Sequence, residues 1–503
     1  MKIFTSKDIR EADAYTIENE PISSVDLMER AAGVFYECFV SLIEKQDKIA
    51  VFAGVGNNGG DGLVVARMLH QNFYNVRVYI VNFSEKRSPD FLTNFERLSS
   101  LSPELISEIN EGDDLPSLND FDIIIDGIFG SGLSRPVEGL AGEIIRHINK
   151  TNKVKVAIDI PSGLFCEDNS ENNPKNIIRA DYTITFELPK LAFLFAENSD
   201  FVGEWMALPI GLHKGFINEK ESKYQLVDIE MIRTILIIRK KFSHKGSYGH
   251  ALIISGSYGK VGAAVLASKA CLRSGAGLVT VHIPKCGYNV LQTAVPEAMT
   301  VLNESEELIS GNIKTEMFNA VGIGPGIGKD KKTETTLKLI IQNAYSPVVF
   351  DADAINIIAE NKTWIPFIHR DSIFTPHPKE FERLVGKTSN NFKRIGLQRE
   401  FSMKYGVYVV LKGAYSSISC PDGTIYFNST GNAGMATGGS GDVLTGIITG
   451  LLAQGYSSRN ACILGVYLHG LSGDIAARKK SQEAMIAGDI IEYLGKAYKT
   501  IRI

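Results

Sequence analysis

Short apolar runs alternate with amphipathic stretches along nearly the whole chain, and this alternation constrains the fold more than any other feature. Such runs, bounded by turn-forming residues, read as strands of a parallel sheet, and the helical stretches between them supply its crossovers. The first series comprises Lys48–Ala53, Val76–Val81, Asp122–Ile125, Val154–Ile158 and Tyr182–Phe186. The second comprises His250–Ile254, Leu278–Ile283, Ala320–Ile323, Val348–Phe350, Ile373–Thr375 and Tyr408–Leu411. A polar, charge-rich piece, residues 213–223, separates them, which puts a domain boundary near residue 225 and predicts domains over 1–225 and 226–503. At 503 residues the chain is too long for one ordinary core. The polar 84–120 region is expected to carry a looser excursion.

A net charge of -4 gives no bias toward nucleic acid or an anionic membrane. No apolar run approaches the ~20 residues a membrane span needs. The first residues lack the long apolar segment of a signal peptide. Six cysteines (38, 166, 271, 286, 420 and 462) are scattered without a Cys-x-x-Cys pair, as suits reduced thiols. The expectation is a soluble, cytoplasmic α/β protein with neither nucleic-acid nor membrane partners. It is also expected to form a homo-oligomer. The amphipathic start, Thr5 to Gly33, could pack between subunits or cover its own sheet.

The chemistry concentrates where glycines run into helices. Residues 431–441 are rich in glycine and small side chains and enter the apolar stretch 443–448, with Asp442 at the junction. A helix N-terminus offers unpaired N–H groups and a positive dipole end to an anion. Glycine lets a phosphate approach that backbone closely. A carboxylate beside such a site binds phosphate poorly but can take a proton from an attacking hydroxyl. Asp442 therefore reads as the base of a phosphoryl transfer, the plainer alternative being a helix cap.

Strand Lys48–Ala53 feeds a second glycine loop, in which Gly54, Gly56 and Gly59 match G-x-G-x-x-G before the helical stretch 63–69. The next strand lacks the acid that grips an adenosine ribose, which weakens a hydride-transfer reading. Two further strands lead into Asp126 with loop Gly127–Pro136, and into Asp159 with Ile160–Gly163. Loops of this kind converge at the carboxyl edge of an open sheet. Asn58, Asp126 and Ser162 together could hold a hard cation through oxygen. In the second half, 255–264 superficially suggests a P-loop, but Lys260 is followed by Val261 rather than Ser or Thr. Asp351 and Asp353 could hold Mg²⁺ through waters or the substrate. His377 sits between two prolines, and Lys412 could reach nucleotide phosphates.

The segments 21–33, 56–62 and 159–163 resemble the NAD(P)H-hydrate epimerase family. That resemblance implies a Rossmann-like three-layer fold, interconversion of the R and S hydrates of NADH and NADPH (NADHX and NADPHX), and a K⁺ ion. Carried over, Asn58, Asp126 and Ser162 are the K⁺ ligands. Asn57, Asn58, Gly59, Gly60 and Asp61, the loop Gly130, Ser131, Gly132, Leu133, Ser134, Arg135 and Pro136, and Asp159 are substrate contacts. Asp159 is the candidate acid–base residue, with Lys190 as its partner.

The segments 256–264, 324–328, 351–356, 375–380 and 438–444 resemble the ADP/ATP-dependent NAD(P)H-hydrate dehydratase family, which has a ribokinase-like fold. Ser440 departs from an alanine common in the wider ribokinase-like group. The resemblance implies metabolite repair: the S hydrate is phosphorylated with Asp442 as base, using ADP as co-substrate with Mg²⁺, and phosphate then leaves. Ala263, Gly326, His377 and Asp442 would contact the hydrate. Lys412, Gly413, Ala414, Tyr415, Ser416 and Gly441 would contact the nucleotide. The competing reading is a ribokinase-like kinase of a vitamin precursor carrying a non-catalytic N-terminal binding module.

Overall fold

The computed structural model describes residues 1–502, which divide into two compact units, Lys2–Ser222 and the chain from Lys223 onward together with Met1. A two-residue strand, β1 (Lys2–Ile3), opens the chain. The first unit carries a seven-stranded sheet of β2 (Lys48–Ala53), β3 (Asn75–Val81), β4 (Ile106–Ile109), β5 (Ile123–Gly127), β6 (Val154–Ile158), β7 (Tyr182–Phe186) and β8 (Glu204–Leu208), in the order β4-β3-β2-β5-β6-β7-β8. Every pair in it is parallel. Alternation along β2 explains the layers. Ile49, Val51 and Ala53 pack with helices Ser24–Val40 and Asn57–Gln71, whereas Ala50 and Phe52 face helix Gly139–Asn149. The chain turns outward in both directions from β2, so the crevice between the ends of β2 and β5 is the topological switch point, where open α/β sheets bind ligands.

The second unit contains β9 (Tyr224–Val227), β10 (His250–Ile254), β11 (Leu278–Ile283), β12 (Met299–Leu302), β13 (Ala320–Ile323), β14 (Val348–Phe350), β15 (Ile373–Phe374), β16 (Tyr408–Leu411), β17 (Ser417–Ser419) and β18 (Ile425–Asn428). Their order is β9-β18-β17-β16-β15-β14-β13-β10-β11-β12. Only the β16-β17-β18 meander within it is antiparallel. Ala251 and Ile253 face a core with helices Val261–Arg273, Ser440–Ala453 and Ser458–Lys480, while Leu252 and Ile254 face one containing Leu337, Ile355 and Phe381. The α/β class with parallel sheets is as expected, and the strands expected from the sequence all form within a residue or two of their expected bounds.

The looser excursion expected over 84–120 holds for 110–120, which carries no helix or strand, but not for 89–109. Ser88 caps a helix, Pro89–Leu101, by accepting a hydrogen bond from the Phe91 amide at 3.2 Å, and Pro89 occupies the first turn. Phe91 and Leu98 are fully buried beneath it, and β4 follows. The strands the apolar runs did not show are half-exposed or lie in the antiparallel meander, where polar and apolar residues alternate.

Helices Val261–Arg273 and Ser440–Ala453 touch backbone to backbone. A Cβ on Gly446 would lie 2.1 Å from the Ala267 carbonyl oxygen, and one on Gly450 would lie 2.1 Å from Ser274 Oγ. Gly446→Ala is expected to destabilise the second unit by about 3 kcal/mol through overpacking. A urea unfolding transition followed by circular dichroism should show the shifted midpoint.

Candidate active sites

At the switch point of the first unit, Asn57 and Asn58 open helix Asn57–Gln71, whose N-cap, Gly56, has no side chain to occupy the amide end. Glycine is required nearby on steric grounds. A Cβ on Gly59 would stand 1.7 Å from the Gly54 carbonyl oxygen, and one on Gly54 2.0 Å from that of Ile128. Beneath the loops lies Asp126, fully buried at the end of β5. Its carboxylate accepts from Ser162 Oγ (2.5 Å), the Ser162 amide (2.7 Å) and the Ile128 amide (3.2 Å). Burial nevertheless raises its pKa to about 6. Asn58 Nδ2 donates to the Phe129 carbonyl at 3.0 Å, and Ser162 Oγ accepts from the Phe129 amide at 2.8 Å. Asn58, Asp126 and Ser162 are thus joined around Phe129 as an all-oxygen set with a buried acid. That donor chemistry fits a hard cation.

Above this cluster opens a cavity of about 800 Å³. Asn57, Asn58, Asp61, the loop Gly130–Arg135, Asp159 and Lys190 line it, whereas Gly59, Gly60 and Pro136 do not. The Cα atoms of Gly59 and Gly60 are instead closed off by Gly54 and Met28. Asp159 holds a left-handed backbone (φ 64°), a conformation that costs on the order of 1–3 kcal/mol and clusters at functional sites. Its Oδ1 accepts from Lys190 Nζ (2.7 Å), Thr185 Oγ1 (2.9 Å) and the Phe186 amide (3.2 Å). Lys190 is 1% exposed and also donates to the Leu188 carbonyl at 3.2 Å, so it is no solvated strand end. The remaining wall was not foreseen. Helix Ser6–Asn19 contributes Arg10 and Asp13, and Ile210 and Leu212 are held by Glu187, which accepts from the amides of 210, 211 and 212. The signal for Asp13 was present: Ile9, Asp13 and Ile17 fall four residues apart on one helical stripe, with an acid among apolar side chains.

In the second unit the loops after β10 and β13 join at their own switch point. Ser255 Oγ and the Gly256 amide donate to the Pro325 carbonyl (2.6 and 2.9 Å), and Ser257 Oγ donates to that of Gly326 (2.7 Å). A Cβ on Gly326 would meet Ala263 Cβ at 3.1 Å, so these two expected hydrate contacts are neighbours. The Gly431–Gly441 loop ends at Gly439 (φ 90°), the N-cap of helix Ser440–Ala453, which leaves Asp442 in the first turn rather than at the cap. The Asp442 carboxyl makes no hydrogen bond among the described residues. Burial, then the charge of Asp351, raises its pKa to about 6 against the pull of Lys412.

Lys412 is fixed over this turn. Its Nζ donates to Asp351 Oδ1 at 2.9 Å, and a Cβ on Gly441 would lie 3.3 Å from that Nζ. Asp351 Oδ2 accepts from Thr445 Oγ1 at 2.7 Å. The two acids read as Mg²⁺ holders are engaged elsewhere. Asp351 is 1% exposed with both oxygens committed, and Asp353 accepts from the Gly328 amide (2.9 Å) and faces Lys260 at 3.5 Å. Gly413 and Ala414 are exposed in a turn closed by the Gly413 amide donating to Ser416 Oγ at 3.2 Å, and Tyr415 is half-buried beside them. His377 caps helix Pro378–Val385, its Nδ1 accepting from the amides of Lys379 and Glu380. That leaves its half-exposed Nε2 as the proton-bearing nitrogen. Sequence reasoning missed two supports of the glycine loop: half-buried His469, against the Ser440 carbonyl at 3.0 Å, and Asp474, which accepts from the Gly431 amide and Asn432 Nδ2.

Comparison with known proteins fits this division. The family described as NAD(P)H-hydrate dehydratase matches residues 251–496, and that described as YjeF-related protein N-terminus matches residues 24–192. The bifunctional NAD(P)H-hydrate repair enzyme Nnr of Moorella thermoacetica is 35% identical over 513 residues, covering 98% of this chain and 96% of its own. The enzyme of the same name from Escherichia coli is 32% identical, covering 98% and 93%. A crystal structure of ADP/ATP-dependent NAD(P)H-hydrate dehydratase from Bacillus subtilis, co-crystallised with ATP/Mg²⁺, is 29% identical with a TM-score of 0.48, over 55% of this chain and 98% of that one. With both matched segments in place and near full-length identity above 30% to several such proteins, the chain belongs to the family of bifunctional NAD(P)H-hydrate repair enzymes.

Proposed function

We propose that the first unit epimerises the R and S hydrates of NADH and NADPH in its cavity, and that the second dehydrates the S hydrate at the glycine loop with ADP as phosphoryl donor. The observation that carries the reading is Asp442: a carboxylate without a hydrogen-bond partner among the described residues, at the amide end of a helix, with Lys412 beside it. A capping acid would have spent its oxygens on the helix amides.

The C6 hydroxyl of the hydrate is a poor leaving group. Asp442 takes its proton as the oxygen attacks the terminal phosphorus of the nucleotide, and the bond to the departing AMP oxygen breaks. The Gly441 amide and Lys412 meet the charge that gathers on the phosphoryl oxygens. The ring nitrogen then pushes its lone pair toward C6, inorganic phosphate departs, and loss of a C5 proton restores the dihydropyridine. Mg²⁺ belongs to this reading as a companion of the nucleotide phosphates rather than as an ion caged by Asp351 and Asp353. In this reading the turn 413–416 meets the nucleotide, and Ala263, Gly326 and His377 meet the hydrate.

In the first unit, Asn58, Asp126 and Ser162 would hold K⁺, which when bound neutralises the buried Asp126 and orders the loops above it. Lys190 and Asp159 supply a proton-bearing pair at the cavity wall. The protein acts in the cell interior as a homo-oligomer in this reading.

The test is absorbance at 340 nm with an R/S mixture of hydrated NADH, ADP, Mg²⁺ and K⁺. Recovery of NADH beyond the S fraction, and only with nucleotide, is expected. A surviving phosphate ester would instead indicate the small-molecule kinase. Asp442→Asn is expected to lower dehydration about 10³-fold while leaving epimerisation intact. Because the base works ionised, wild-type kcat/KM should fall about tenfold per unit below pH 6. The raised pKa also means that the folded state favours the protonated acid, so stability is lost as pH rises through about 6. Asp442→Asn should abolish that loss, seen as a higher Tm at pH 8. Asp351→Asn, which loosens the hold on Lys412, should raise the KM for ADP about tenfold as a charge-assisted hydrogen bond is lost.

A further inference from the structure

The carboxylates around the first cavity exceed what the pair Lys190–Asp159 requires. Asp61 is more than nine-tenths buried, lines the cavity and has no hydrogen-bond partner among the described residues. Nor does Asp13, which reaches the same cavity from helix Ser6–Asn19 between Ile9 and Ile17. Asp90 is different, since its Oδ2 accepts from Ser24 Oγ. A buried carboxylate left without a donor is costly unless it binds a proton or a ligand that donates one. Asp61 and the half-buried Asp13 line one cavity, and like charges sharing a site disfavour ionising both.

We propose that Asp13, paired with Asp61, is a second proton carrier of the epimerase reaction, acting at the C6 oxygen of the hydrate while the Lys190–Asp159 pair acts at the ring nitrogen. The proposal rests on the epimerase reading of this unit. It assigns the reaction as opening and reclosure of the hemiaminal. The carboxyl pair takes the proton of the C6 hydroxyl, the C6–N1 bond breaks with its electrons passing to N1, and the Lys190 ammonium protonates N1. The product is an open aldehyde. After rotation about C5–C6, N1 returns its proton to Lys190 and attacks the other face of the carbonyl, whose oxygen regains the proton from the carboxyl pair. Nothing is oxidised or reduced, and both pairs end as they began.

The electrostatics suit the role. Burial raises the Asp13 pKa to about 7, Asp159 raises it further and Lys190 opposes it. Burial raises Asp61 well above the usual carboxylate range, with Asp159, Asp13 and Asp90 adding to the shift. Arg10 on the same helix, and Lys86, Asp90 and Arg135 from other segments, also line the cavity. A carboxyl poised near neutrality can both take and return a proton.

The experiment uses the full-length protein with K⁺, the pure R hydrate and no nucleotide, and follows appearance of the S hydrate by chromatography. Asp13→Asn is expected to lower kcat about 10²-fold with KM within about threefold, and to remove the near-neutral limb of the pH profile. Calorimetric binding of the R hydrate to the variant shows that the cavity has formed. Asp13→Glu, which keeps a carboxyl, should retain at least about a tenth of wild-type kcat with a displaced limb. Wild-type kcat in Asp13→Asn, or a loss confined to KM with an unchanged pH profile, overturns the assignment. If the wild type itself does not convert R to S, the epimerase reading fails instead, which is a distinguishable result.

Discussion

A carboxylate sunk beneath the strand ends governs each unit. Asp126 at the end of β5 and Asp351 just past β14 are 0% and 1% exposed, and a charge so placed must be met by donors or neutralised. The donors come from other segments. Asp126 collects the amide and hydroxyl of Ser162 and the Ile128 amide, whereas Asp351 collects the Lys412 ammonium and the Thr445 hydroxyl. Satisfying one buried charge therefore fixes several loops relative to one another. The loops so fixed carry Asn58 and 130–135 at the wall of the cavity in the first unit, and Gly441 and Asp442 at the helix N-terminus in the second. The two carboxylates differ in how they are compensated. Asp126 has only neutral donors and a raised pKa, which leaves room for a cation, whereas Asp351 already has one in Lys412.

Close backbone approach is the complementary constraint. The loops can converge only because Gly54, Gly59, Gly324 and Gly446 have no Cβ to strike a carbonyl about 2 Å away, a contact well inside van der Waals range. Where the chain instead bends at a residue with a side chain, as at Asp159 (φ 64°) and Ala352 (φ 47°), the strain sits beside a functional group. The surrounding hydrogen bonds hold it there: Asp159 is anchored by Lys190, Thr185 and Phe186. Such anchoring keeps the reacting groups oriented before substrate arrives.

The central strands were legible because burial on both faces makes them continuous apolar runs, and the glycine loops because their spacing follows from sterics. The edge and meander strands were not, since β8, β12 and β17 mix polar and apolar residues in a pattern a loop can share. Within 84–120 polarity hid only the stretch 89–109, where Ser88-Pro89 and the spacing of Phe91 and Leu98 spell a capped helix. Within the sites, residues next to a glycine motif were found and those distant in sequence were not. His469 and Asp474 support the glycine loop from the interior of helix Ser458–Lys480, and Asp13 reaches the first cavity from the N-terminal helix, positions no local motif marks.

The two sites solve opposite electrostatic problems, and their side chains follow from that. The first cavity is walled by carboxylates whose pKa burial raises, Asp13 and Asp61, and by one buried lysine already paired with Asp159. Phosphoryl transfer gathers negative charge on oxygen, so the second site presents a helix amide end and Lys412, with Asp442 free of hydrogen bonds among the described residues. The chemistry also explains why one chain carries both. Epimerisation only equilibrates the two hydrates, whereas nucleotide-driven dehydration consumes the S form irreversibly. The second reaction thus drains the R hydrate through the first, and equal numbers of the two sites keep either from limiting the other by abundance.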